Sequence, residues 1–369
     1  MAPPSSQAAE AELPSAEKGQ LAQIADAYLQ QRADAVTTSA AQSRRAAAPL
    51  ALTAQASKEL GGEIAALREN AQAIEGRWSG FSRAEVTVIP GKGTVSGDTA
   101  TLSVEEETRL YFPDIKEGDQ ITHSSYVLPH TLTFKRSADG AWKLAEDETP
   151  ENSGPALPTQ LKDPGPINEP GPDDEPLPGS EVEGPKGEPS SIDGTGGGSA
   201  GETKPMVTPL LNYSYMISYA RKYGQRGNPA FRTYGQDCTN FISQALHSGG
   251  WKETSGGILD RKNNKKWFYG SLELSTSYTW AGAENFYWFA LVHSGRNKRV
   301  PNVWNLLPSD ILQADWGPRP NGNINHTMMV TGRQGGMLYM TYHTPNFVDV
   351  PLDYLRAKYP GSWWYGHRT

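Results

Sequence analysis

The chain has 369 residues, enough for two or three domains of ordinary size. Hydrophobic residues make up only 37% of it, and its 28 Pro, 38 Gly and mean hydropathy of −0.59 exclude a membrane-spanning protein. The 10 Trp, 16 Tyr and 9 Phe argue against a wholly disordered chain, because so many large aromatic side chains need a core. The single cysteine, Cys238, excludes an internal disulfide framework and a multi-cysteine zinc site, so no metal site is predicted.

The N-terminal part of the chain divides into a tail and a small domain. Residues 1–18 are small and polar and lack the charged and apolar regions of a secretory signal, which predicts a disordered tail. Two stretches with apolar residues at helical spacing follow, and then a series of alternating strands. This order predicts a small α+β accessory domain at residues 19–148. We interpret its histidines, His123 and His130, as ordinary structural residues, because no cluster of titratable groups stands out.

The next segment, residues 149–205, is rich in Pro, Gly and acidic residues and contains no aromatic residue. Such a composition cannot bury enough apolar surface to offset the entropy lost on ordering. We therefore predict a disordered, acidic linker that is semi-stiff in its Pro-rich half and flexible in its Gly-rich half.

The last domain, residues 206–369, differs in charge from the rest of the chain. It holds eight of the ten Trp residues and 17 basic against 9 acidic residues, a net charge of +8. Because the whole chain has a net charge of −7, the remainder carries −15. A basic domain attracts anionic partners, and nucleic acid, an anionic cell-wall polymer and lipid headgroups all fit this charge. The basic residues are dispersed and accompany no nucleic-acid motif, so a nucleic-acid partner is not predicted and we prefer the interpretation of a solvated surface.

The chemistry is predicted to centre on Cys238. Apolar residues after it recur at helical spacing and end at the pair Gly249-Gly250, so the cysteine lies in the first turn of a short helix. A helix N-terminus favours negative charge and lowers the pKa of a thiol, and the thiolate is the nucleophilic form. We therefore predict a catalytic cysteine, with a buried structural cysteine as the alternative. Asp237 is expected to shape the turn or to cap the helix.

A nucleophilic cysteine needs a base, and the base needs a group that orients it. His326 begins a predicted strand, and His343 ends the strand that returns after a short turn. In an antiparallel hairpin these two residues come to the same end, so they can be neighbours. We predict that His326 accepts the thiol proton. His343, or alternatively Asn346 just beyond it, would hold the imidazole.

These motifs resemble a known family. The strings DCTNFISQAL, WFYG, SYTW, PSDILQADW, INHTMMVTG and YHTPN, in this order, are similar to the family named putative amidase domain. This family of bacterial, largely secreted proteins belongs with the papain-like, NlpC-type amidases and peptidases, and the resemblance covers about residues 209–368. It implies a Cys–His hydrolase with its nucleophile at Cys238, its base at His326 and a third polar residue at His343.

The resemblance also implies an α+β, papain-like (NlpC-type) catalytic domain with helices packed on an antiparallel sheet. The Cys238 N–H would be one donor to the oxyanion, and a side chain upstream, Tyr234 or Gln236, could be a second donor. Tyr234 and Trp280 are candidates for the lining of the cleft. A plain core role is the alternative for Trp280.

The sequence therefore predicts a secreted, monomeric cysteine amidase or peptidase that cleaves bacterial cell-wall peptide or another amide through a thioester. No metal or organic cofactor is required. Two alternatives remain: a non-catalytic wall- or carbohydrate-binding module on the same fold, and an acyltransferase that uses the same thioester.

Overall fold

The computed structural model describes residues 11–42, 49–150, 155–161, 186–194, 211–316, 320 and 322–369. Most of the predicted linker and the first ten residues of the predicted tail lie outside these ranges. The chain forms two compact units, which we describe separately. Unit 1 comprises Met1–Ile115, Ser125–Glu151 and Pro158–Leu161. Unit 2 comprises Lys116–Ser124, Asn152–Leu157 and Lys162–Thr369.

Unit 1 is an α+β unit in which helices α1 and α3 accompany a meander of long strands. The helices are α1 (Ser15–Ala35), α2 (Ser39–Gln42) and α3 (Ala54–Glu75). The strands are β1 (Ala11–Glu12), β2 (Arg83–Ser96), β3 (Thr99–Tyr111), β4 (His123–Arg136) and β5 (Trp142–Glu148). The order is β1-β2-β3-β4, with β5 paired to β4. Gly97 and Gly140 have positive φ in the turns that follow β2 and precede β5.

One predicted boundary of unit 1 was wrong. Helix α1 begins at Ser15, inside the predicted tail, because apolar residues from Leu21 onward bury one side of the helix and the first turn continues from it. Strand β3 fits the expected alternation, since its side chains alternate between buried and at least partly exposed along its whole length.

A network of charged and polar side chains is buried in unit 1, and this corrects the expectation that no cluster of titratable groups stands out there. His130 Nδ1 donates to Asp147 at 2.8 Å, and Nε2 donates to Glu106 at 2.9 Å. Tyr28 donates to Asp147 at 3.0 Å and Tyr126 to Glu106 at 3.0 Å. Both carboxylates thus accept from several donors, and the sequence missed the network because its members come from four separate elements.

The hydrogen bonds and charges in this network determine the protonation states of His130 and Asp147. Burial alone would lower the pKa of His130, but its hydrogen bonds to Asp147 and Glu106 raise that pKa to about 9. Burial would raise the pKa of Asp147, but the hydrogen bond and charge of His130 lower it. As an imidazolium, His130 donates one hydrogen bond from each ring nitrogen, to Asp147 and to Glu106.

Unit 2 is an α+β unit with an antiparallel sheet. Its helices are α4 (Tyr213–Tyr223), α5 (Cys238–Ser248), α6 (Tyr278–Ala281), α7 (Ala283–Tyr287) and α8 (Leu352–Lys358). Its strands are β6 (Lys298–Val300), β7 (Ile311–Asp315), β8 (His326–Gln334), β9 (Met337–Tyr342), β10 (Phe347–Pro351) and β11 (Trp363–Arg368). The order within the unit is β10-β9-β8-β7-β11-β6.

Helix α5, which begins at Cys238, is deeply buried in unit 2. Its first nine residues are all buried, and helix α4 packs beside it. Gly249 ends α5 where a Cβ atom would lie 2.1 Å from Met216 of α4, so only glycine allows this close approach. The aromatic residues Trp251, Trp267 and Trp280 fill the core behind α5. The helix that carries Cys238 is therefore rigidly held.

Part of the predicted linker is ordered against unit 2. Ser190 N donates to Trp364 O and Ser191 N to Pro301 O, both at 2.7 Å. Lys186 forms an ion pair with Glu284 at 2.8 Å. The expectation of an entirely disordered linker was wrong for residues 186–194, because backbone hydrogen bonds can anchor a segment that has little apolar surface. In the described parts of the chain, no helix is long and apolar enough to cross a membrane.

We predict that His130 couples the stability of unit 1 to pH. Its contribution is complete below the unfolded pKa of about 6.5 and is lost as pH rises through about 9, a change of about 3 kcal/mol. Asp147 contributes above an unfolded pKa of about 4, and its contribution is lost as pH falls through its lowered pKa. Pulse proteolysis in urea between pH 6 and 10, with fragments mapped to unit 1, measures the change.

The His130→Gln variant should be less stable at pH 6 and should lose less stability between pH 6 and 10. The matched control is His247→Gln, since the His247 side chain is 43% exposed. Equal pH slopes for wild type and His130→Gln would contradict the assignment of a buried imidazolium.

Candidate active site

Cys238 is the first residue of α5 and is only 4% exposed. Its Sγ lies 3.7 Å from the Thr239 hydroxyl and within hydrogen-bonding range of the backbone of Thr327 on β8. The hydroxyls of Thr239 and Thr327 are 2.8 Å apart and connect the helix to the strand. The thiol is thus fixed between the start of α5 and the start of β8.

The predicted lowering of the thiol pKa was wrong for this arrangement. Burial raises the pKa of Cys238, and the charge of Asp237 acts in the same direction. The hydrogen bonds from Thr239 and from the Thr327 backbone lower the pKa but do not overcome the loss of solvent. In the closed site, Cys238 is therefore a neutral thiol at neutral pH.

His326 is the first residue of β8 and is paired with Ala314 of β7. It is 2% exposed, and its ring contacts the rings of Trp316 and Tyr342 at centroid distances of 5.6 and 5.0 Å. Burial lowers the pKa of His326 to about 3, so the imidazole is neutral. Within the described ranges, its Nε2 has no hydrogen-bond partner.

The structure places the predicted nucleophile and base at the same end of β8. The thiol of Cys238 approaches the backbone of Thr327, and Thr327 directly follows His326. The contacts described for the Cys238 thiol are to Thr239 and Thr327 rather than to the His326 ring. The resting site thus holds a neutral thiol and a neutral imidazole, not an ion pair.

His343 lies elsewhere in the site than the sequence predicts. Its Nδ1 is 2.6 Å from Asp237 Oδ2, and its Nε2 donates to the carbonyl of Tyr223 at 3.0 Å. Its ring stacks on Phe241 at 3.8 Å between centroids. With both nitrogens engaged, His343 has none left to orient His326. The alternative third residue, Asn346, donates to Gln225 O at 2.8 Å instead.

Asp237 is the polar centre of the loop before α5. Its Oδ1 accepts from Tyr234 N at 2.9 Å and from the Asn240 side chain at 2.8 Å, and its Oδ2 faces His343. Its own N–H donates to the Thr344 hydroxyl at 2.8 Å. Asp237 occupies the N-cap position but makes no side-chain capping hydrogen bond. Asp237 therefore shapes the turn, as one of the two predictions had it. Its contact with His343 was not predicted.

The remaining predicted residues support the loop or the core. The Tyr234 hydroxyl accepts from Arg232 at 3.0 Å, and Gln236 is partly exposed beside Asp237. Trp280 is fully buried and donates to Asn240 Oδ1 at 2.8 Å. Because the Trp280 N–H is already paired and the ring packs within the aromatic core, its place is in the core behind α5.

Three residues of the site were missed in the sequence. Thr327 bonds the hydroxyl of Thr239 beside the thiol, Thr344 accepts from the Asp237 N–H, and Phe241 stacks on His343. Thr327 and Thr344 each directly follow a histidine that was singled out, which is a weak signal that sequence reasoning passed over. Phe241 was interpreted only as an apolar helix residue.

Comparisons with known proteins support an amidase family for unit 2. Residues 211–366 match the model of the family described as putative amidase domain, a name that suggests a hydrolase acting on amides. Uncharacterized protein YhbB of Bacillus subtilis (strain 168) is 32% identical over 120 residues, 32% of this chain and 37% of that protein. Uncharacterized protein YjcM of the same strain is 30% identical over 168 residues, 42% of this chain and 37% of that protein.

The chain spans little more than a third of the length of these relatives. The crystal structure of Kfla4162 protein from Kribbella flavida is 21% identical, covers 36% of this chain and 90% of its own, and has a TM-score of 0.22. An Ntf2 like protein involved in plasmid conjugation is 9% identical, covers 89% and 96%, and has a TM-score of 0.16. Both scores are too low to support an argument, and the papain-like superfamily is not confirmed by these comparisons.

We predict that Cys238 is alkylated with a pH midpoint above the ordinary thiol value of about 8.5, because burial raises its pKa. The rate of iodoacetamide modification between pH 6 and 10.5, followed by intact mass, measures the midpoint. The same chain unfolded in urea is the control and should return to about 8.5. A midpoint below pH 8 in the folded chain would show that the thiolate forms in the resting site.

We predict strong coupling between Asp237 and His343. Asp237→Asn and His343→Gln should each destabilise unit 2, and a double-mutant cycle should give a coupling of about 2 kcal/mol, because the pair is buried. The control cycle uses Asp353→Asn and Arg356→Gln, a more exposed pair that should couple by less than about 0.5 kcal/mol. Urea unfolding measures both cycles, and equal coupling in the two would contradict the central role of Asp237.

Proposed function

We propose that unit 2 is a cysteine amide hydrolase with Cys238 as its nucleophile and His326 as its base. One observation carries the proposal: the only thiol of the chain opens α5 and approaches the Thr327 backbone, one residue along β8 from His326. A nucleophile at a helix start against an antiparallel sheet that carries the base also supports a papain-like fold. The match to an amidase family supports an amide as the substrate.

The proposed reaction uses both residues twice. The sulfur of Cys238 attacks the amide carbonyl carbon while its proton passes to His326. The proton then moves to the leaving nitrogen, the C–N bond breaks, and an acyl thioester remains on Cys238. Water attacks the thioester carbonyl carbon as His326 accepts its proton. The C–S bond then breaks, His326 returns the proton to the sulfur, and the carboxylic product is released. The first backbone N–H groups of α5 have no partner within the helix and are the proposed donors to the oxyanion.

The pKa values of Cys238 and His326 in the absence of substrate limit how this reaction can begin. His326 is a free base because burial lowers its pKa to about 3, and Cys238 keeps its proton because burial raises its pKa. Proton transfer between them is uphill unless negative charge moves onto the substrate at the same time. We propose that transfer and attack are concerted and that no thiolate accumulates beforehand.

The charge of the last domain supports a proposed substrate and location. The net charge of +8 over residues 206–369 suits an anionic polymer, and bacterial cell-wall peptide lies among such polymers. We therefore propose an extracytoplasmic enzyme acting on wall peptide. Binding to isolated cell walls should weaken from low to high salt, because exposed charges are screened.

A non-catalytic binding module is the second candidate. The raised thiol pKa and the absence of a described hydrogen bond from Cys238 to His326 favour it. This candidate predicts wall binding that does not depend on Cys238.

The test is digestion of purified peptidoglycan by the full chain, with fragments analysed by mass. Wild type should release fragments with new amine ends, and both Cys238→Ala and His326→Gln should reduce release by at least a hundredfold. His247→Gln is the matched control and should keep wild-type activity. Added hydroxylamine should trap the thioester as a hydroxamate, and transfer to added amines would identify an acyltransferase.

If a folded Cys238→Ala variant released peptidoglycan fragments at the wild-type rate, this would contradict the role of Cys238 as the nucleophile. Melting temperatures for each variant separate loss of chemistry from loss of fold. Wall binding without any release by wild type would favour the binding module.

A further inference from the structure

Trp316, which directly follows β7, packs against the proposed base. Its ring lies 5.6 Å from the His326 ring between centroids, at an interplanar angle of 57°. Tyr359 and Trp364 each contact the other parts of the indole at 5.0 Å. Trp316 is only 4% exposed, so the indole is enclosed by aromatic rings and by His326.

The backbone of Trp316 is held by the residue that precedes His326. Trp316 N donates to Asn325 Oδ1 at 3.0 Å, and Asn325 N donates to Ala314 O at 3.0 Å. Because Asn325 and His326 are consecutive, the indole and the imidazole are positioned by the same short piece of chain. Movement of one relative to the other would break these hydrogen bonds.

Each of these two rings has one unsatisfied polar atom. In the parts of the chain that the structure describes, neither Trp316 Nε1 nor His326 Nε2 has a hydrogen-bond partner, and both are buried. An indole N–H is a donor only, so it needs an acceptor that the described residues do not supply. Buried polar groups are nearly always paired, and an unpaired donor next to a proposed base points to a ligand.

We propose that Trp316 Nε1–H donates a hydrogen bond to a carbonyl oxygen of the substrate beside His326. The inference rests on the proposed function and adds a substrate-binding residue to it. A carbonyl oxygen fits because it accepts without carrying a proton, whereas a substrate ammonium group would oppose a donor. An amide or peptide substrate supplies such an oxygen next to the bond that Cys238 attacks.

Trp304 provides a matched control. It is 2% exposed, and its Nε1 is also unpaired within the described residues. Its ring packs against the Arg356 guanidinium at 5.4 Å rather than against His326. Trp304→Phe therefore removes the same type of buried N–H at a place without the proposed ligand.

The experiment compares two thiol reagents on the full chain. Iodoacetamide carries an amide carbonyl, whereas iodoethane carries no oxygen acceptor, and neither requires turnover. Trp316→Phe should slow modification of Cys238 by iodoacetamide about fivefold relative to iodoethane, the effect of one hydrogen bond. Trp304→Phe should leave the ratio of the two rates at its wild-type value.

If Trp316→Phe alters the fold, replacement of Trp316 by 3-benzothienylalanine serves as the second variant. This side chain keeps the shape of the indole without its N–H, so it should change the ratio of the two rates by the same factor. An unchanged ratio would overturn the proposal, because it would show that the N–H binds water alone. An equal slowing with both reagents would also overturn it, since Trp316 would then act on the thiol or the fold. The ratio of the two modification rates does not depend on turnover. It can therefore still be measured if the chain fails to cleave peptidoglycan.

Discussion

The buried carboxylate of Asp237 is the constraint on which the site in unit 2 depends. It joins the loop at Tyr234, the first turn of α5 at Asn240 and the segment after β9 at His343. Because Cys238 directly follows Asp237, the position of the thiol is set by hydrogen bonds that it does not make itself. A buried charge with a partner on each side tolerates little movement, since each displaced partner leaves an uncompensated group. The rigidity of the nucleophile is therefore a property of the residue before it.

Two buried histidines show that burial alone does not fix a protonation state. His130 of unit 1 and His326 of unit 2 are both almost fully buried, yet the pKa of one is raised to about 9 and that of the other lowered to about 3. His130 lies between two carboxylates, whereas aromatic rings surround His326. The carboxylates make the first a structural cation. The apolar surroundings keep the second a neutral base, which is the form a proton acceptor needs.

Local patterns in the sequence were sufficient to predict the elements but not the contacts between them. The helix that starts at Cys238 and ends at Gly249, and the hairpin that carries His326 and His343, follow from spacing and turn residues. The partner of His343 does not, because Asp237 lies 106 residues away and the hairpin register shifts between Val330 and Gly332. The sequence did not predict the raised pKa of the Cys238 thiol, for a related reason. A helix start can be recognised in sequence, but the depth at which it is buried depends on everything packed around it.

The closed and neutral state of the site has a consequence for a chain with one cysteine. Oxidation and disulfide exchange act on thiolates and follow exposure, so a buried thiol of raised pKa resists both. The same burial leaves Nε2 of His326 and Nε1 of Trp316 without partners in the described chain. If a substrate carbonyl supplies the missing acceptor, it also brings the oxygen onto which negative charge moves during attack. The features that keep the thiol inert at rest are then the ones that make its activation depend on substrate.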